Sequence, residues 1–254
     1  MSTESGIRDF RGPDGIWTRN PEAEKRAFEA YARFTSDPGE FWEETLTRPP
    51  AWIEHIETSR PNAGHLALQQ LEEMGILKHT ITQNIDALHE RAGTRNLLEY
   101  HGNLFKLRCP GCSVRYPRQD YDLARLLETG CLPPRCKSCG GAVKPDVVYF
   151  GEPIPTDVAE RSMLEALAAD VMLVCGTSAT VYPFAALPRL AGRAYDVAQT
   201  GVVFAGAGKP RAIVIEVNAE PTPLTEEGVS SYFIRGRTGE ILPRIAEAVR
   251  EMRL

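Results

Sequence analysis

Long apolar runs, blocks of basic residues and evenly spread cysteines are all absent from this sequence of 254 residues. Without a run of about 18 or more apolar residues, the sequence contains no candidate transmembrane helix. The first residues, Met1 to Glu4, are polar, and we expect no signal peptide, no membrane association and a soluble cytoplasmic protein. The net charge is only -5 and no Lys/Arg block occurs, so we expect no direct nucleic-acid binding.

The composition, 43% apolar and 25% charged, is typical of a globular protein with one large domain or with a large and a small one. Short apolar runs typical of buried strands are residues 79–82, 147–150, 171–175 and 213–217. Helical patterns cover residues 157–169, 184–193 and 240–252. This alternation favours an α/β fold with a parallel sheet covered by helices on both faces. Polar or glycine residues follow each strand, where ligands of such sheets bind.

Two more helices are predicted before the first strand. Pro21 follows the capping residue Asn20 and begins a helix that runs to about Phe34. Pro61 begins the second helix, and Gly75 ends it.

Four of the six cysteines form two C-x-x-C pairs, Cys109 with Cys112 and Cys136 with Cys139, separated by 23 residues. Two such pairs are typical of a closed zinc site with four thiolate ligands. A redox site would need only one pair, and two independent buried pairs would be a coincidence. Cys131 is interpreted as a bystander. Because four thiolates leave no position open for water, we expect the zinc to be structural.

His101 differs from the other histidines because it precedes Gly102 and adjoins the predicted zinc module, at a junction where a cleft can form. An imidazole there can accept a proton near neutral pH. From the residues alone, a catalytic and a structural role for His101 stay equally open. The histidines interpreted as structural are His55, His65, His79 and His89.

Several blocks of residues occur in a recognisable order around the cysteine pairs. They are SGIRDFRG at 5–12, TQNIDALH at 82–89, YHG at 100–102, KPDVVYFGE at 144–152, GTS at 176–178 and VNAEP at 217–221. In these blocks the chain resembles the sirtuin family of NAD-dependent protein lysine deacylases, in its prokaryotic form. The resemblance covers nearly the whole chain, and Ala87 stands where glycine is commonest in the family.

The resemblance implies a Rossmann-like parallel-sheet domain with a smaller inserted module. The large domain would comprise residues 1–20, 76–101 and 145–254. The helical part of the small domain would comprise residues 21–75, and its zinc-binding module residues 102–144.

NAD is implied as a co-substrate, with His101 as the general base that acts on its ribose hydroxyls. Asn84 would contact the nicotinamide ribose, and Asp86 the nicotinamide carboxamide, although both residue types also favour plain turns and helix caps. Gly176 with its two following hydroxyls is by itself a weak signal. Gln83 would also line the nicotinamide ribose pocket, Asn218 and Glu220 would reach the adenosine ribose, and Thr238 would lie near the adenine. The other residues implied around NAD are Ile85, Gly176, Thr177 and Ser178.

The family's mobile cofactor loop matches Arg8, Asp9, Phe10 and Arg11. Phe10 would shield the reactive carbon from water, and Arg11 would face phosphate.

The substrate implied is an acyl-lysine protein or peptide that pairs as an extra strand with one segment of the chain. The segment consists of Val147, Val148, Tyr149, Phe150, Gly151 and Glu152. A purely structural role for the Tyr149 and Phe150 side chains is also open.

The implied reaction transfers the acyl group to ADP-ribose and releases nicotinamide and free lysine. Mono-ADP-ribosyl transfer or NAD hydrolysis would use the same pocket, and a non-catalytic NAD or ADP-ribose sensor would use the same scaffold. Family members that prefer succinyl-lysine carry a tyrosine and an arginine that align with Thr45 and Arg48. Because the tyrosine is absent, we expect acetyl or a longer neutral acyl group to be preferred.

The start of the sequence also differs from the family, in which an apolar strand and a GAG-x-S turn precede the loop at 5–12. Ser2 aligns with the serine of that turn, so we expect the first strand and its phosphate-binding amides to be missing and this form to be weak or inactive. The run at 202–208 resembles such a strand and turn, but we interpret it as a chance match, and the role of the long stretch 194–209 stays open.

Overall fold

The computed structural model describes residues 1–10, 12, 15–50, 52–192 and 212–252. The predictions for Arg11 and for the stretches 194–209 and 202–208 therefore lie outside the described residues.

Helices and strands alternate through most of the described residues. The helices are α1 Ile16–Arg19, α2 Pro21–Ser36, α3 Pro38–Thr47, α4 Trp52–Thr58, α5 Ala63–Glu73, α6 Leu88–Arg91, α7 Leu123–Glu128, α8 Thr156–Ala168, α9 Ala186–Gly192, α10 Pro223–Glu226 and α11 Thr238–Glu251. The strands are β1 Thr80–Thr82, β2 Leu97–Glu99, β3 Gly102–Arg108, β4 Arg115–Pro117, β5 Lys144–Val147, β6 Val171–Cys175, β7 Ile213–Asn218 and β8 Tyr232–Arg235. Short 3₁₀ turns cover Ser2–Ser5 and Arg118–Asp120.

Side-chain caps explain where the early helices begin. The Asn20 side chain accepts a hydrogen bond from the backbone of Ala23, which fixes the predicted start of α2. Helix α5 begins later than predicted, because Asn62 and not the preceding proline supplies the cap. The His65 imidazole completes this capping box by accepting from the backbone N–H of Asn62.

The parallel strands carry the predicted α/β architecture. Strands β6, β7 and β8 form one parallel sheet in that order, and β1 pairs in parallel with β2. Helices α5 and α11 pack together over one face of β7, where Leu71, Val217 and Leu242 are buried. The domain prediction assigned α5 to the small domain, whereas its apolar face packs in this cluster with β7.

The prediction of a parallel strand over 147–150 is wrong in both extent and orientation. Strand β5 ends at Val147, and it pairs antiparallel with β3, which also pairs antiparallel with β4. The backbone leaves the strand because the N–H of Glu152 donates to the carbonyl oxygen of Tyr149, which closes a turn. High strand propensity at Tyr149 and Phe150 is overridden by this local bond.

A second core joins α2 and α3 to the zinc module. Phe34, Phe41 and Trp42 pack against Leu107 and against other apolar residues of the antiparallel sheet. The Trp42 side chain is fully buried, and its Nε1 donates to the backbone oxygen of Val143 at 2.6 Å. This buried hydrogen bond ties the helical part to the segment that enters β5.

Among the described residues, no helix combines the length and apolar character that a membrane crossing needs.

Candidate active site and zinc centre

Three strand ends meet at one edge of the parallel sheets. The side chain of Gln83, after β1, donates to Thr177 Oγ1 at 3.0 Å, and Thr177 follows β6. Asn218, the last residue of β7, donates from Nδ2 to the Thr177 carbonyl oxygen at 2.7 Å. The structure therefore brings together residues that were predicted to bind NAD from sequence blocks far apart in the chain.

Asn84 and Asp86 meet at the hydroxyl group of Ser2. Asn84 Nδ2 donates to Ser2 Oγ at 2.8 Å, and Ser2 Oγ donates to Asp86 Oδ2 at 2.6 Å. The other carboxylate oxygen of Asp86 accepts the N–H of Leu88 at 2.9 Å. Asp86 is buried, and this bond holds its carboxylate in place just before α6.

His101 is held in the tautomer that a general base needs. Its Nδ1 lies 3.1 Å from the backbone oxygen of Gln83. Because a carbonyl oxygen can only accept, Nδ1 carries the hydrogen in the neutral ring and Nε2 keeps a free lone pair. Burial lowers the pKa of His101 below its usual value, and the bond to Gln83 opposes this shift only in part. The ring is therefore neutral and able to accept a proton at pH 7.

Gly102 is required beside His101 because two backbones approach closely there. Its φ is +82°, and an added Cβ would lie 1.8 Å from the carbonyl oxygen of Asp146. Only glycine combines this positive φ with so close a neighbour. The N–H of Val148 donates to the carbonyl oxygen of His101 at 2.9 Å, so the predicted peptide-binding segment is bonded directly to the backbone of the candidate base.

Aromatic rings from four parts of the chain gather beside this segment. Phe10 of the predicted cofactor loop lies 4.6 Å from Trp17 and 6.0 Å from Trp52, measured between ring centroids. Phe150 stacks on Phe28 at 4.1 Å and lies 5.6 Å from Trp17. This aromatic cluster (Phe10, Trp17, Phe28, Trp52 and Phe150) connects the predicted cofactor loop with the predicted peptide-binding segment.

Other predicted cofactor residues lie at the margin of this site. Arg8, Asp9 and Ser178 are exposed. Glu220 is also exposed and pairs with Arg235, while the Thr238 side chain is buried and donates to Glu4.

The four predicted zinc ligands come together as two C-x-x-C turns face each other. Their sulfur atoms all lie within 4.8 Å of one another, and the Cys109–Cys139 and Cys112–Cys136 pairs are 3.4 and 3.5 Å apart. Tetrahedral zinc with bonds of about 2.3 Å places sulfurs roughly 3.8 Å apart, so the donor set fits this metal. Cys131 is exposed, and its sulfur is not part of the cluster.

Sequence reasoning missed Ser2 and three members of the aromatic cluster, Trp17, Phe28 and Trp52, as site residues. The signal for Ser2 was its alignment with the serine of the family's glycine-rich turn. Trp17, Phe28 and Trp52 gave no comparable signal, because helical spacing of aromatic residues is more often a sign of core packing.

Comparisons with known proteins agree with this geometry. A sequence model described as the Sir2 family matches residues 1–183. A protein of Pyrococcus abyssi named NAD-dependent protein deacylase is 41% identical over 253 residues, which cover 99% of this chain and 90% of that protein. The crystal structure of a Sir2 homologue in complex with NAD is 37% identical, with a TM-score of 0.70, and covers 99% of this chain and 86% of its own. A Sir2 complex with a p53 peptide and NAD+ is 29% identical, with a TM-score of 0.68 and coverage of 98% and 90%.

Proposed function

This chain belongs to the Sir2 family, and we propose that it is an NAD-dependent protein lysine deacylase that transfers the acyl group to ADP-ribose and releases nicotinamide. The observation that carries the proposal is the neutral, half-buried His101, whose Nδ1 is bonded to the Gln83 carbonyl oxygen after β1, so that Nε2 keeps its lone pair. A sensor that only bound NAD would not need a proton acceptor held in this tautomer.

NAD, when bound, supplies the ribose carbon that accepts the acyl oxygen. Gln83, Thr177 and Asn218 would hold it at the strand ends, and Asn84 and Asp86 would bind its nicotinamide end. The buried Asp86 carboxylate, already fixed by the N–H of Leu88, offers an oriented acceptor for an amide hydrogen. Arg8, Asp9, Ile85, Gly176, Ser178, Glu220 and Thr238 complete the proposed cofactor set.

His101 would accept a proton from a ribose hydroxyl group at Nε2, while its Nδ1–H stays bonded to the Gln83 carbonyl oxygen. Phe10 and its aromatic neighbours exclude water from the reacting centre. His101 and the aromatic cluster would act on the acyl-lysine and not on the rest of the substrate protein. We therefore define the substrate by its acyl-lysine and by an extended backbone.

The substrate peptide would pair with the segment of residues 147–152, next to the bond between Val148 and His101. A neutral acyl group suits this site, because the aromatic cluster is apolar. The Thr45 hydroxyl is occupied by the Phe41 carbonyl oxygen at 2.7 Å, and Arg48 is exposed. No tyrosine–arginine pair is therefore formed at these two positions to receive an acyl carboxylate.

We also propose a cytoplasmic location. Four cysteines meet as a metal-binding cluster, as in proteins of reducing compartments, where thiols are kept free of disulfides.

The test is to incubate the protein with NAD and with acetyl-, butyryl- or succinyl-lysine forms of one peptide, and to identify products by mass spectrometry. We expect O-acyl-ADP-ribose and free lysine, with faster turnover of the two neutral peptides. ADP-ribose without deacylated peptide would indicate NAD hydrolysis, and ADP-ribosylated protein would indicate transferase activity. Binding of NAD without any product would indicate a sensor.

A further inference from the structure

A connected set of charged side chains, four of them buried, links the zinc module to the peptide-binding segment, and none of them takes part in the proposed proton transfer. Its members are Arg108, Arg115, Lys144, Asp146, Glu152 and Asp157. The side chains of Arg108, Lys144, Asp146 and Glu152 are between 0% and 6% exposed. Since three cations face three anions, the set is balanced, and removing one of its four buried members would unbalance the buried charge.

The Glu152 carboxylate receives donors from three directions. Its Oε1 accepts from Arg108 Nη2 at 2.5 Å. Its Oε2 lies 3.1 Å from Lys144 Nζ and accepts the backbone N–H of Tyr149 at 3.0 Å. The last bond is made to the peptide-binding segment itself, so the position of this carboxylate fixes the turn that ends the segment.

Lys144 is bonded to the backbone at the start of the same segment. In addition to Glu152, its ammonium group donates to the backbone oxygens of Pro145 at 2.9 Å and Val147 at 2.6 Å. The backbones of Val147 and Tyr149 are thus both held by one buried ion pair, Lys144 with Glu152. Between these two residues lies Val148, whose N–H is bonded to the His101 carbonyl oxygen.

The other end of the charge set reaches the zinc site. Arg108 and Arg115 occupy opposite positions on β3 and β4, on either side of the first C-x-x-C pair, and Arg108 directly precedes the ligand Cys109. Both arginines donate to Asp146, from Nε at 2.9 and 3.0 Å. A metal that holds the two arms of this hairpin together therefore also fixes the guanidinium that binds Glu152.

We propose that Glu152 is a positioning residue that sets the backbone of residues 147–151 for pairing with the substrate peptide, and that Arg108 links this position to the zinc module. The inference rests on the proposed function in taking acyl-lysine peptide as the ligand. It differs from the expectation that Glu152 itself contacts the peptide, because all three of its observed partners are internal. Zinc then supports peptide affinity without contacting the peptide.

The test compares the full zinc-loaded protein with Glu152→Gln by measuring anisotropy of a fluorescein-labelled acetyl-lysine peptide, and KM and kcat where turnover occurs. Glutamine keeps the shape but cannot accept from Lys144 and Tyr149 at its amide nitrogen. We expect the peptide Kd and KM to rise about tenfold, which corresponds to about 1.4 kcal/mol. We expect kcat, NAD affinity and zinc content to stay within about twofold of the parent. Glu152→Asp, which keeps the charge, should give an intermediate Kd.

The matched control is Glu227→Gln, which removes a carboxylate bonded to Arg189 Nε and Nη2 at 2.9 and 2.7 Å, away from this segment. Its peptide Kd should equal that of the parent. Equal losses in both variants, or an unchanged Kd in Glu152→Gln, would overturn the inference. If Glu152→Gln does not fold, Arg108→Lys tests the inference by the same criteria. A lysine ammonium group cannot bond Asp146 and Glu152 at the same time as the planar guanidinium group of Arg108 does.

A parent protein that binds the peptide but forms no acyl-ADP-ribose would contradict the proposed function and leave this comparison intact. A parent that binds no peptide would overturn the inference itself.

Discussion

At the scale of single residues, the proposed reaction depends on the protonation state of His101. We expect His101→Ala to lower the rate of deacylation about 10²- to 10⁴-fold, because a positioned proton acceptor contributes this much to a reaction rate. NAD affinity should change little, since the ring acts mainly in the reaction step. Deacylation rates and NAD titrations on the same preparation check this. If His101→Ala kept the parental rate, another residue would have to be the base.

The parent should also show the acid limb of its pH–rate profile below pH 6.5. Burial lowers the pKa of His101, so the neutral, basic form persists to a lower pH than for a free histidine. An acid limb centred above 6.5 would contradict this environment.

At the scale of secondary-structure elements, helix α6 begins with a strained residue. Ala87, its N-cap, has a φ of +59°, a left-handed conformation that costs about 1–2 kcal/mol for residues with a Cβ. Ala87→Gly should therefore raise the free energy of unfolding by about 1 kcal/mol, measured by urea denaturation. Ala92→Gly, at a right-handed position with φ of −76° at the other end of α6, is the control and should not stabilise. A destabilised Ala87→Gly would show that the alanine methyl group contributes packing that outweighs the strain.

Much of each element was predictable, and the exceptions have local causes. Strand β6 and the start of α2 match the sequence prediction because apolar runs and side-chain caps are short-range signals. The end of β5 was not predictable from its apolar pattern, because the strand is followed by a turn in which Glu152 is bonded to both the carbonyl oxygen and the N–H of Tyr149. Ser2 joins the site across more than 80 residues of sequence, a pairing that only tertiary structure creates.

The zinc module is the element whose stability depends most on a ligand. Its few buried residues surround the four cysteines, so metal coordination should contribute directly to folding. We expect Cys136→Ala to lower both bound zinc and the melting temperature, while Cys131→Ala, at an exposed thiol outside the cluster, changes neither. Zinc analysis and thermal melts check the pair, and a metal-free protein of parental stability would contradict the structural role.

At the scale of the whole molecule, two buried histidines should make the fold sensitive to mild acid. Burial lowers the pKa of His65 to about 3, helped by the neighbouring His89, and lowers that of His89 to about 4. The rings lie 4.8 Å apart, and a proton on His65 Nδ1 would break the bond that caps α5. Protonation of either ring therefore opposes the folded state.

The direction of the pH dependence follows from proton binding. Between about pH 4 and 6.5 the unfolded chain binds more protons at these two histidines than the folded protein does. Stability is thus fully present above pH 6.5 and falls as the pH is lowered towards the folded values. Lowering the pH from 7 to 5 should therefore reduce the free energy of unfolding by about 3–4 kcal/mol through these two residues. This is a large part of the roughly 5–15 kcal/mol that is typical of a folded protein.

Urea denaturation at pH 7, 6 and 5 measures this loss, and His65→Gln should reduce it by about half. Glutamine preserves the cap, because Gln at this position can accept from the Asn62 N–H, but it does not titrate in this range. His55→Gln, at an exposed histidine of α4, is the control and should leave the pH dependence unchanged. If His65→Gln retained the full parental pH dependence, the acid sensitivity would have to come from groups other than this pair.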